Sequence, residues 1–229
     1  NILIIGSSKN LGKFLLKKFN KNYKTIQISS TLKSNNKDIF QTDITNENSL
    51  NSNLKKIKNK FKNLNAIIFT VGDSKPTNNS LENFKHSFDI NFFSFVNLIN
   101  SYLKIFGNKK TKIIAISSIA GVKPINAPVG YSVSKAALNY YSKIMSKDLI
   151  KKGISLNVIS PGNILIKNNN WSKKIKNNKY KVMKYIKQNV PSNDFINPDE
   201  VFNICELIIS QKNVNLIGSN IILDGGQSN

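Results

Sequence analysis

Four polar side chains have the types and spacing that proton transfer to or from a carbonyl oxygen requires: Asn91, Ser118, Tyr131 and Lys135. Tyr131 and Lys135 are four residues apart in an amphipathic segment, so a helix places both on one face. An ammonium group within about 4–6 Å favours the phenolate and lowers the pKa of tyrosine, which is near 10 in a free side chain. The pair therefore predicts an acid or base that works near neutral pH.

Ser118 follows an apolar run that begins at Ile113 and gives way to Ala120 and Gly121. A run of this kind indicates a buried parallel strand that leads into a loop. A hydroxyl group at the carboxyl end of such a strand faces the crevice in which open α/β sheets bind ligands. Ser118 is therefore expected to hydrogen-bond a substrate carbonyl. The alternative is that it only stabilises the turn, because serine is common in the turns that follow strands.

The first residues predict a strand, a turn and a helix in the order found in dinucleotide-binding domains. Ile2–Ile5 is apolar, and a helical pattern continues from Phe14. In the turn between them, backbone amides and the amino end of the helix suit a pyrophosphate. Asn10 is compatible with such a turn because asparagine tolerates a left-handed backbone. The expected contacts are Gly6, Ser8, Lys9, Asn10, Leu11 and Gly12.

Together these motifs resemble the short-chain dehydrogenase/reductase family, whose catalytic tetrad is Asn, Ser, Tyr and Lys. The intervals between the four residues in this chain are 27, 13 and 4, and all three are typical of that family. The glycine motif of the family has glycine where this chain has Asn10. The resemblance extends from Ile2 to Gly226, which is nearly the whole chain.

The resemblance implies further cofactor contacts. The segment from Asp43 to Thr45 is similar to the family's adenine-contacting tripeptide, and a Pro-Gly turn follows a later apolar run. Two positions depart from the family pattern: Thr70 lies in the segment that is usually Asn-Asn-Ala-Gly, and Ile166 replaces a common threonine. The contacts implied in this way are Asp43, Ile44, Thr70, Gly72, Tyr131, Lys135, Pro161, Gly162 and Ile164.

The reaction implied by the resemblance is a reversible, NAD(P)(H)-dependent interconversion of a carbonyl and a secondary alcohol. Ser118 and Tyr131 would bind the substrate oxygen, Lys135 would hold the nicotinamide ribose, and Asn91 would anchor a water that links Lys135 to solvent. The first candidate is NADPH-dependent reduction of a ketone or 3-oxoacyl substrate, and the second is a dehydrogenase or reductase of a sugar or small polar alcohol. A non-catalytic protein that binds a cofactor or nucleic acid is the alternative of another class.

NADP(H) is favoured over NAD(H) because of the residues that end the second predicted strand. NAD-preferring members of the family have a carboxylate there, whereas this chain has Ser29, Ser30 and Thr31. Lys9 and Lys33 supply cations for a 2′-phosphate near Ser30. The chain is so rich in lysine that composition alone also explains a lysine at either place.

Length and pattern predict one domain. The chain has 229 residues, of which 40% are hydrophobic, enough for a single core. Apolar runs alternate with helical stretches, so the expected α/β fold is a Rossmann-type, doubly wound, mostly parallel seven-stranded sheet with helices on both faces. Residues 1–229 would form one NAD(P)-binding domain with a substrate lid at about residues 164–190. Its pocket residues would be Trp171, Tyr180, Met183 and Tyr185. The alternative, which the sequence supports equally, is a helix that only packs on the edge of the sheet.

The charge of the chain comes from lysine alone, since it has no arginine and a formal net charge of +22. Proteins that recognise a particular DNA sequence depend heavily on arginine, so we expect no specific nucleic-acid partner. A coding bias toward AT-rich codons explains the lysine content as well as a binding function does.

The remaining expectations concern environment and assembly. The chain has neither a long apolar run nor a signal-peptide pattern, which predicts a cytoplasmic protein without a membrane span. No Cys/His cluster has the spacing of metal ligands, and Cys205 has the apolar neighbours of a core thiol. The helices near Leu81–Phe106 and Tyr131–Lys151 resemble the dimer interface of the family, which implies a homodimer or homotetramer.

Overall fold

The structure is a computed structural model that describes residues 1–31, 36–74, 80–107, 110–210 and 215–229. Its described strands form one parallel sheet of seven strands in the order β3-β2-β1-β4-β5-β6-β7. The predicted Rossmann-type sheet is thus confirmed, and it is wholly rather than mostly parallel. The strands are β1 (Ile2–Ile5), β2 (Thr25–Ser29), β3 (Ile39–Gln41), β4 (Ala66–Phe69), β5 (Thr111–Ile116), β6 (Ile154–Pro161) and β7 (Asn220–Leu223).

Helices cover both faces of this sheet. The long helical segment predicted from Leu81 to Phe106 is interrupted by a π-helical turn at Asp89–Phe93, and a 3₁₀ turn at Ile119–Gly121 follows β5. The α-helices are α1 (Asn10–Phe19), α2 (Glu47–Phe61), α3 (Leu81–Phe88), α4 (Ser94–Phe106), α5 (Val129–Lys151), α6 (Asn170–Asn177), α7 (Lys179–Asn189) and α8 (Pro198–Ser210).

The sequence of β1 is continuously apolar because the strand is buried on both faces of the sheet. Successive side chains of a strand point to opposite faces, so Leu3 and Ile5 enter one core cluster while Ile2 and Ile4 enter the other. All four are fully buried because helices cover both faces. Burial of each such side chain contributes about 1.5–3 kcal/mol.

Each core cluster joins the sheet to a separate set of helices. On one face, α2, α4 and α5 contribute residues that include Leu54, Leu98 and Leu138. On the other face, Phe19 of α1 packs against α8, whose Cys205 is fully buried. The expected position of Cys205 in the core is confirmed, and burial raises the pKa of its thiol well above the ordinary value.

The strand order reverses between β1 and β4, which lie side by side although β2 and β3 separate them in sequence. At such a switch point the connections leave in opposite directions and open a crevice at the carboxyl ends of the strands. The glycine turn after β1 and the segment after β4 both lie at this edge. Within the residues described, no helix is long and apolar enough to cross a membrane.

Candidate active site

The turn after β1 is held in an unusual backbone conformation. Gly6 has φ +88° and Asn10 has φ +49°, so the left-handed conformation expected for Asn10 is confirmed. A Cβ atom added to Gly12 would collide with the carbonyl oxygen of Gly6. The two glycines therefore permit a close approach between the turn and the first turn of α1, as a dinucleotide-binding loop requires.

The amino end of α1 is open to an anionic group. Its N-cap residue, Lys9, has an extended backbone and makes no side-chain cap, and the first turn contains no acidic residue. The positive end of the helix dipole and the N–H groups of the first turn are thus available to a ligand phosphate.

Thr70 connects the ends of β4 and β1. Its Oγ1 donates a hydrogen bond to the carbonyl oxygen of Ile5 at 2.7 Å, and its backbone N–H donates to the same oxygen at 2.9 Å. A Cβ atom added to Gly6 would lie 2.8 Å from this hydroxyl oxygen. Thr70, which departs from the family motif, therefore stabilises the backbone at the start of the glycine turn.

Asn91 lies in the π-helical turn and is fully buried. Its Oδ1 accepts a hydrogen bond from the backbone N–H of Asp73 at 2.8 Å, and its Nδ2 donates to the Asp73 carbonyl oxygen at 3.1 Å. A π turn re-aims the side chains of a helix, and such turns are frequent at functional sites. Asn91 therefore fixes the backbone beside Gly72, and it lies behind the wall of the cleft rather than on its surface.

The side chain of Lys135 extends from α5 toward the ends of β4 and β5 and is only 2% exposed. Its Nζ donates to the carbonyl oxygens of Ile116 at 3.1 Å and Val71 at 3.4 Å. Burial lowers the pKa of Lys135 to about 8, because charging a buried amine costs solvation energy. The carbonyl groups at the ends of β5 and β4 thus fix the position of the ammonium group.

Tyr131 is half-buried on the same helix, one turn before Lys135, and its hydroxyl group interacts with the Ser118 side chain. Ser118 Oγ also accepts from the backbone N–H of Ala120 at 3.2 Å, which fixes the serine at the start of the 3₁₀ turn. Lys135 Nζ is 5.9 Å from the centre of the Tyr131 ring. Burial raises the pKa of Tyr131, and the hydrogen bond from Ser118 offsets part of that rise. The sequence predicted the opposite direction because it does not show how deeply the phenol is buried.

A cleft of about 1070 Å³ runs along the carboxyl edge of the sheet. The glycine turn and the end of β2 form one end, Tyr131 and Lys135 the middle, and Trp171 the other end. Its size is that of a pocket for a large organic ligand. The predicted site residues that line it are Gly6, Ser8, Lys9, Asn10, Leu11, Gly12, Ser30, Asp43, Ile44, Thr70, Gly72, Ser118, Tyr131, Lys135, Pro161, Gly162 and Ile164.

The end of β2 carries hydroxyl groups in this cleft. Ser29 and Ser30 line it, and Ser30 is exposed. Asp43 reaches the same end, but its Oδ1 accepts hydrogen bonds from the backbone N–H and the hydroxyl of Thr45. Lys33, the second cation expected here, lies outside the described residues.

Three ionisable side chains of the cleft were not assigned to the site from the sequence, namely Asp73, His86 and Asp89. The imidazole Nε2 of His86 is 3.9 Å from Asp73 Oδ2. The position of Asp73 directly after Gly72 was a usable signal, whereas His86 reaches the cleft only through the packing of α3. Among the described residues, no group of three or more His, Cys, Asp or Glu side chains is arranged to hold a metal ion.

The opposite end of the cleft contains part of the expected lid. Trp171 lines the cleft as predicted, and its ring stacks on Tyr185 with a centroid separation of 5.5 Å. Tyr180, Met183 and Tyr185 are not among the residues that line the cleft, and Tyr180 is 78% exposed, so the prediction is wrong for these three side chains. Ile166 also lines the cleft and offers no hydrogen bond there.

Comparison with known proteins identifies the family. A short-chain dehydrogenase family model described as "Enoyl-(Acyl carrier protein) reductase" matches residues 13–228. Glucose 1-dehydrogenase 2 of Bacillus subtilis is 23% identical, with 99% of this chain and 93% of the relative covered. The 3-oxoacyl-[acyl-carrier-protein] reductase of Buchnera aphidicola (Acyrthosiphon pisum) is 27% identical, with 97% and 95% covered.

A solved structure, ElxO with NADP bound, has the same fold. It superposes with a TM-score of 0.87 at 23% identity, over 99% of this chain and 98% of that one. Solved structures of this fold include complexes with NADP and with NADH. The chain belongs to the short-chain dehydrogenase/reductase family, and it is an NAD(P)-dependent oxidoreductase that acts on CH–OH groups.

Proposed function

We propose that Ser118, Tyr131 and Lys135, supported by Asn91, catalyse the interconversion of a carbonyl and a secondary alcohol in this cleft. One observation carries the proposal: the Ser118 and Tyr131 side chains lie together at the cleft surface, with the buried Lys135 ammonium one helical turn away. Two hydroxyl groups so placed can hold the same substrate oxygen.

The residues of the cleft fit a dinucleotide. The glycine turn and the amino end of α1 suit its pyrophosphate, and Lys135 and Gly162 lie where its nicotinamide half would reach the tetrad. When bound, the nicotinamide supplies or accepts the hydride. The added Cβ of Gly72 would lie 3.2 Å from Lys135 Nζ, so glycine at this position keeps the cleft open beside the ammonium group.

In the reductive direction Ser118 and Tyr131 donate hydrogen bonds to the substrate carbonyl oxygen. As the substrate carbon gains a hydride, the oxygen takes the Tyr131 proton, and the product is an alcohol. The phenolate that remains is stabilised by the Lys135 charge and regains a proton from solvent. Asn91 holds the backbone beside Lys135, where we place the water that returns this proton.

NADP(H) is the cofactor that the site favours. The end of β2 presents Ser29 and Ser30 to the cleft, and Lys9 lies on the same wall. Hydroxyl groups and a cation suit a 2′-phosphate, whereas a ribose diol is usually bound by a carboxylate. Asp43, the acidic residue that reaches this end of the cleft, already accepts two hydrogen bonds from Thr45.

The substrate candidates make different demands on the cleft. Ile164, Ile166 and Trp171 form an apolar end that suits a ketone or a 3-oxoacyl chain, as reduced by the Buchnera relative. Asp73 and His86 offer polar contacts that suit a sugar or small polar alcohol, as the name of the Bacillus relative indicates. We place the ketone or 3-oxoacyl substrate first because the apolar residues lie around the lid.

The test is oxidation of NADPH and NADH against ketones, 3-oxoacyl and 2-enoyl thioesters, and keto sugars, together with the reverse reaction on their alcohols. Turnover of a carbonyl substrate that is lost in Tyr131→Phe supports the proposal. A protein that binds the cofactor but turns over no substrate supports the non-catalytic alternative. Sub-micromolar binding to one DNA sequence at physiological salt supports a nucleic-acid function instead.

Residues 164–190 form the lid of a single domain in this proposal. Helix α6 has no buried residue, whereas α7 is anchored by Val182 and Ile186. A helix with so few buried contacts has a low cost of local opening. We therefore assign to this segment a local opening that lets the substrate enter past Trp171.

The assembly is a homodimer or homotetramer in this proposal. Helix α5 exposes an apolar stripe at helical spacing that includes Val133, Tyr140 and Ile144, which are 44%, 69% and 51% exposed. A second copy of the helix would cover this stripe. Light scattering measures the mass of the wild type and of Tyr140→Glu, in which a charge interrupts the stripe. A monomeric wild type contradicts this assembly.

A further inference from the structure

Gln227, in the turn after β7, joins two separate parts of the substrate side of the molecule. The side chain is only 7% exposed. Its Oε1 accepts a hydrogen bond from Asn163 Nδ2 at 2.8 Å, and its Nε2 donates to the Tyr185 hydroxyl oxygen at 3.3 Å. One amide thus contacts both the loop after β6, which contains Gly162, and helix α7.

The turn that presents Gln227 is itself well fixed. The Asp224 carboxylate accepts hydrogen bonds from the backbone N–H groups of Gly226 at 2.9 Å and Ser228 at 2.7 Å. Lys123, five residues after Ser118, donates from Nζ to the Gln227 carbonyl oxygen at 3.4 Å. Gln227 is therefore attached to the loop of the proposed catalytic serine through its backbone and to the lid through its side chain.

From Gln227 the contacts continue to the cleft through two aromatic rings. The ring of Tyr185 stacks on Trp171, with an angle of 29° between the rings, and Trp171 also packs edge-on against Phe195 at 5.5 Å. Helix α6, which carries Trp171, has no buried residue of its own. The position of Trp171 at the cleft therefore depends on these ring contacts, and the Tyr185 ring is oriented by its hydroxyl bond to Gln227.

We propose that Gln227 is a positioning residue that holds Tyr185, and through it Trp171, against the substrate end of the cleft. It takes no part in the proton or hydride transfer. Its effect is on how well the substrate end is preorganised before substrate binds. This inference rests on the proposed function only in that the cleft is where the substrate binds.

The experiment uses Trp171 as its own reporter, because it is the only tryptophan in the chain. In Gln227→Ala we expect a red shift of its emission and greater quenching by acrylamide, both measured without substrate or cofactor. We also expect KM for the carbonyl substrate to rise about two- to ten-fold, the effect of losing the hydrogen bond to Tyr185, while kcat and the cofactor Kd stay within about two-fold. Gln188→Ala, which changes an exposed glutamine on α7, the helix of Tyr185, is the matched control and should behave as wild type.

A second variant separates positioning from general loss of structure. Tyr185→Phe keeps the ring that stacks on Trp171 but removes the hydroxyl, so it should reproduce both effects and should not add to Gln227→Ala in the double variant. If Gln227→Ala does not fold, Tyr185→Phe alone decides by the same two measurements.

The outcomes distinguish this inference from the proposed function. Unchanged emission and quenching overturn the inference, as do KM effects that add in the double variant. If emission shifts as expected but wild type turns over no carbonyl substrate, the proposed function fails and the positioning role stands.

Discussion

The Thr70 hydroxyl donates a hydrogen bond to the Ile5 carbonyl oxygen at 2.7 Å, joining β4 to β1 where the strand order of the sheet reverses. The same oxygen accepts the backbone N–H of Thr70, so it stays paired when the hydroxyl is removed. The hydroxyl therefore adds rigidity to the glycine turn rather than rescuing a buried acceptor.

Thr70→Val tests this role of the hydroxyl. Valine keeps the branched shape but cannot donate, so unfolding free energy should fall by about 1 kcal/mol and the cofactor Kd should rise about two- to ten-fold. Thr70→Ser keeps the donor and should retain most of the affinity. Chemical denaturation and cofactor titration measure both quantities. Equal affinities for Val and Ser variants would show that the hydroxyl does not support the turn.

Tyr131→Phe removes the proposed proton donor and leaves the ring in place. Loss of a positioned acid should lower kcat by about 10²–10⁴-fold, while the cofactor Kd changes little. Steady-state rates and cofactor titration on the same preparation check the two expectations. A rate within about three-fold of wild type would remove Tyr131 from the mechanism.

The pH dependence of stability reports on Lys135. Burial lowers its pKa from 10.5 to about 8 in the folded chain. Between these two values the unfolded chain binds a proton that the folded chain does not, so unfolding free energy rises with pH across this window. The slope from one such group is at most about 1.4 kcal/mol per pH unit.

Lys135→Met removes this titration, so its stability should rise less steeply from pH 8 to pH 10 than that of wild type. Urea unfolding at a series of pH values measures both slopes. Lys112, whose pKa burial also lowers, is present in both proteins and cancels in the comparison. Parallel slopes would mean that Lys135 titrates normally in the folded protein.

Local pattern was sufficient to predict the sheet and most of the cleft. The alternation of apolar runs and helical segments predicts parallel strands, and parallel strands bring their carboxyl ends to one edge. Residues that follow those strands, such as Ser118 and Gly162, consequently meet in the cleft. The left-handed Asn10 was predictable for the same reason, since its conformation depends on residue type and turn.

Features that depend on tertiary packing were not predictable in this way. The direction of the Tyr131 pKa shift follows from its burial, which the spacing to Lys135 does not reveal. The π turn at Asn91 and the contact between Gln227 and Tyr185 join segments 18 and 42 residues apart. No periodic pattern encodes such contacts, because they arise only when the connected elements are packed.

The cofactor preference rests on the end of β2 and can be shifted there. Ser30 is exposed in the cleft, so Ser30→Asp adds a carboxylate without displacing a core side chain. The carboxylate would repel a 2′-phosphate and accept hydrogen bonds from a ribose diol, which moves the preference toward NADH by about ten-fold or more. Titration of both cofactors against wild type and variant measures the change.

Lys9→Ala separates a phosphate contact from the general surface charge. Only NADPH carries the additional phosphate, so its Kd should rise while that of NADH stays nearly constant. Lys13→Ala, another exposed lysine, which lies one turn further along α1, is the matched control and should leave both constants unchanged. The salt dependence should also weaken for NADPH in Lys9→Ala, because one ion contact is lost. If wild type binds NADH more tightly, or if Lys9→Ala weakens both cofactors equally, the preference for NADP(H) is wrong and Lys9 belongs only to the lysine-rich surface.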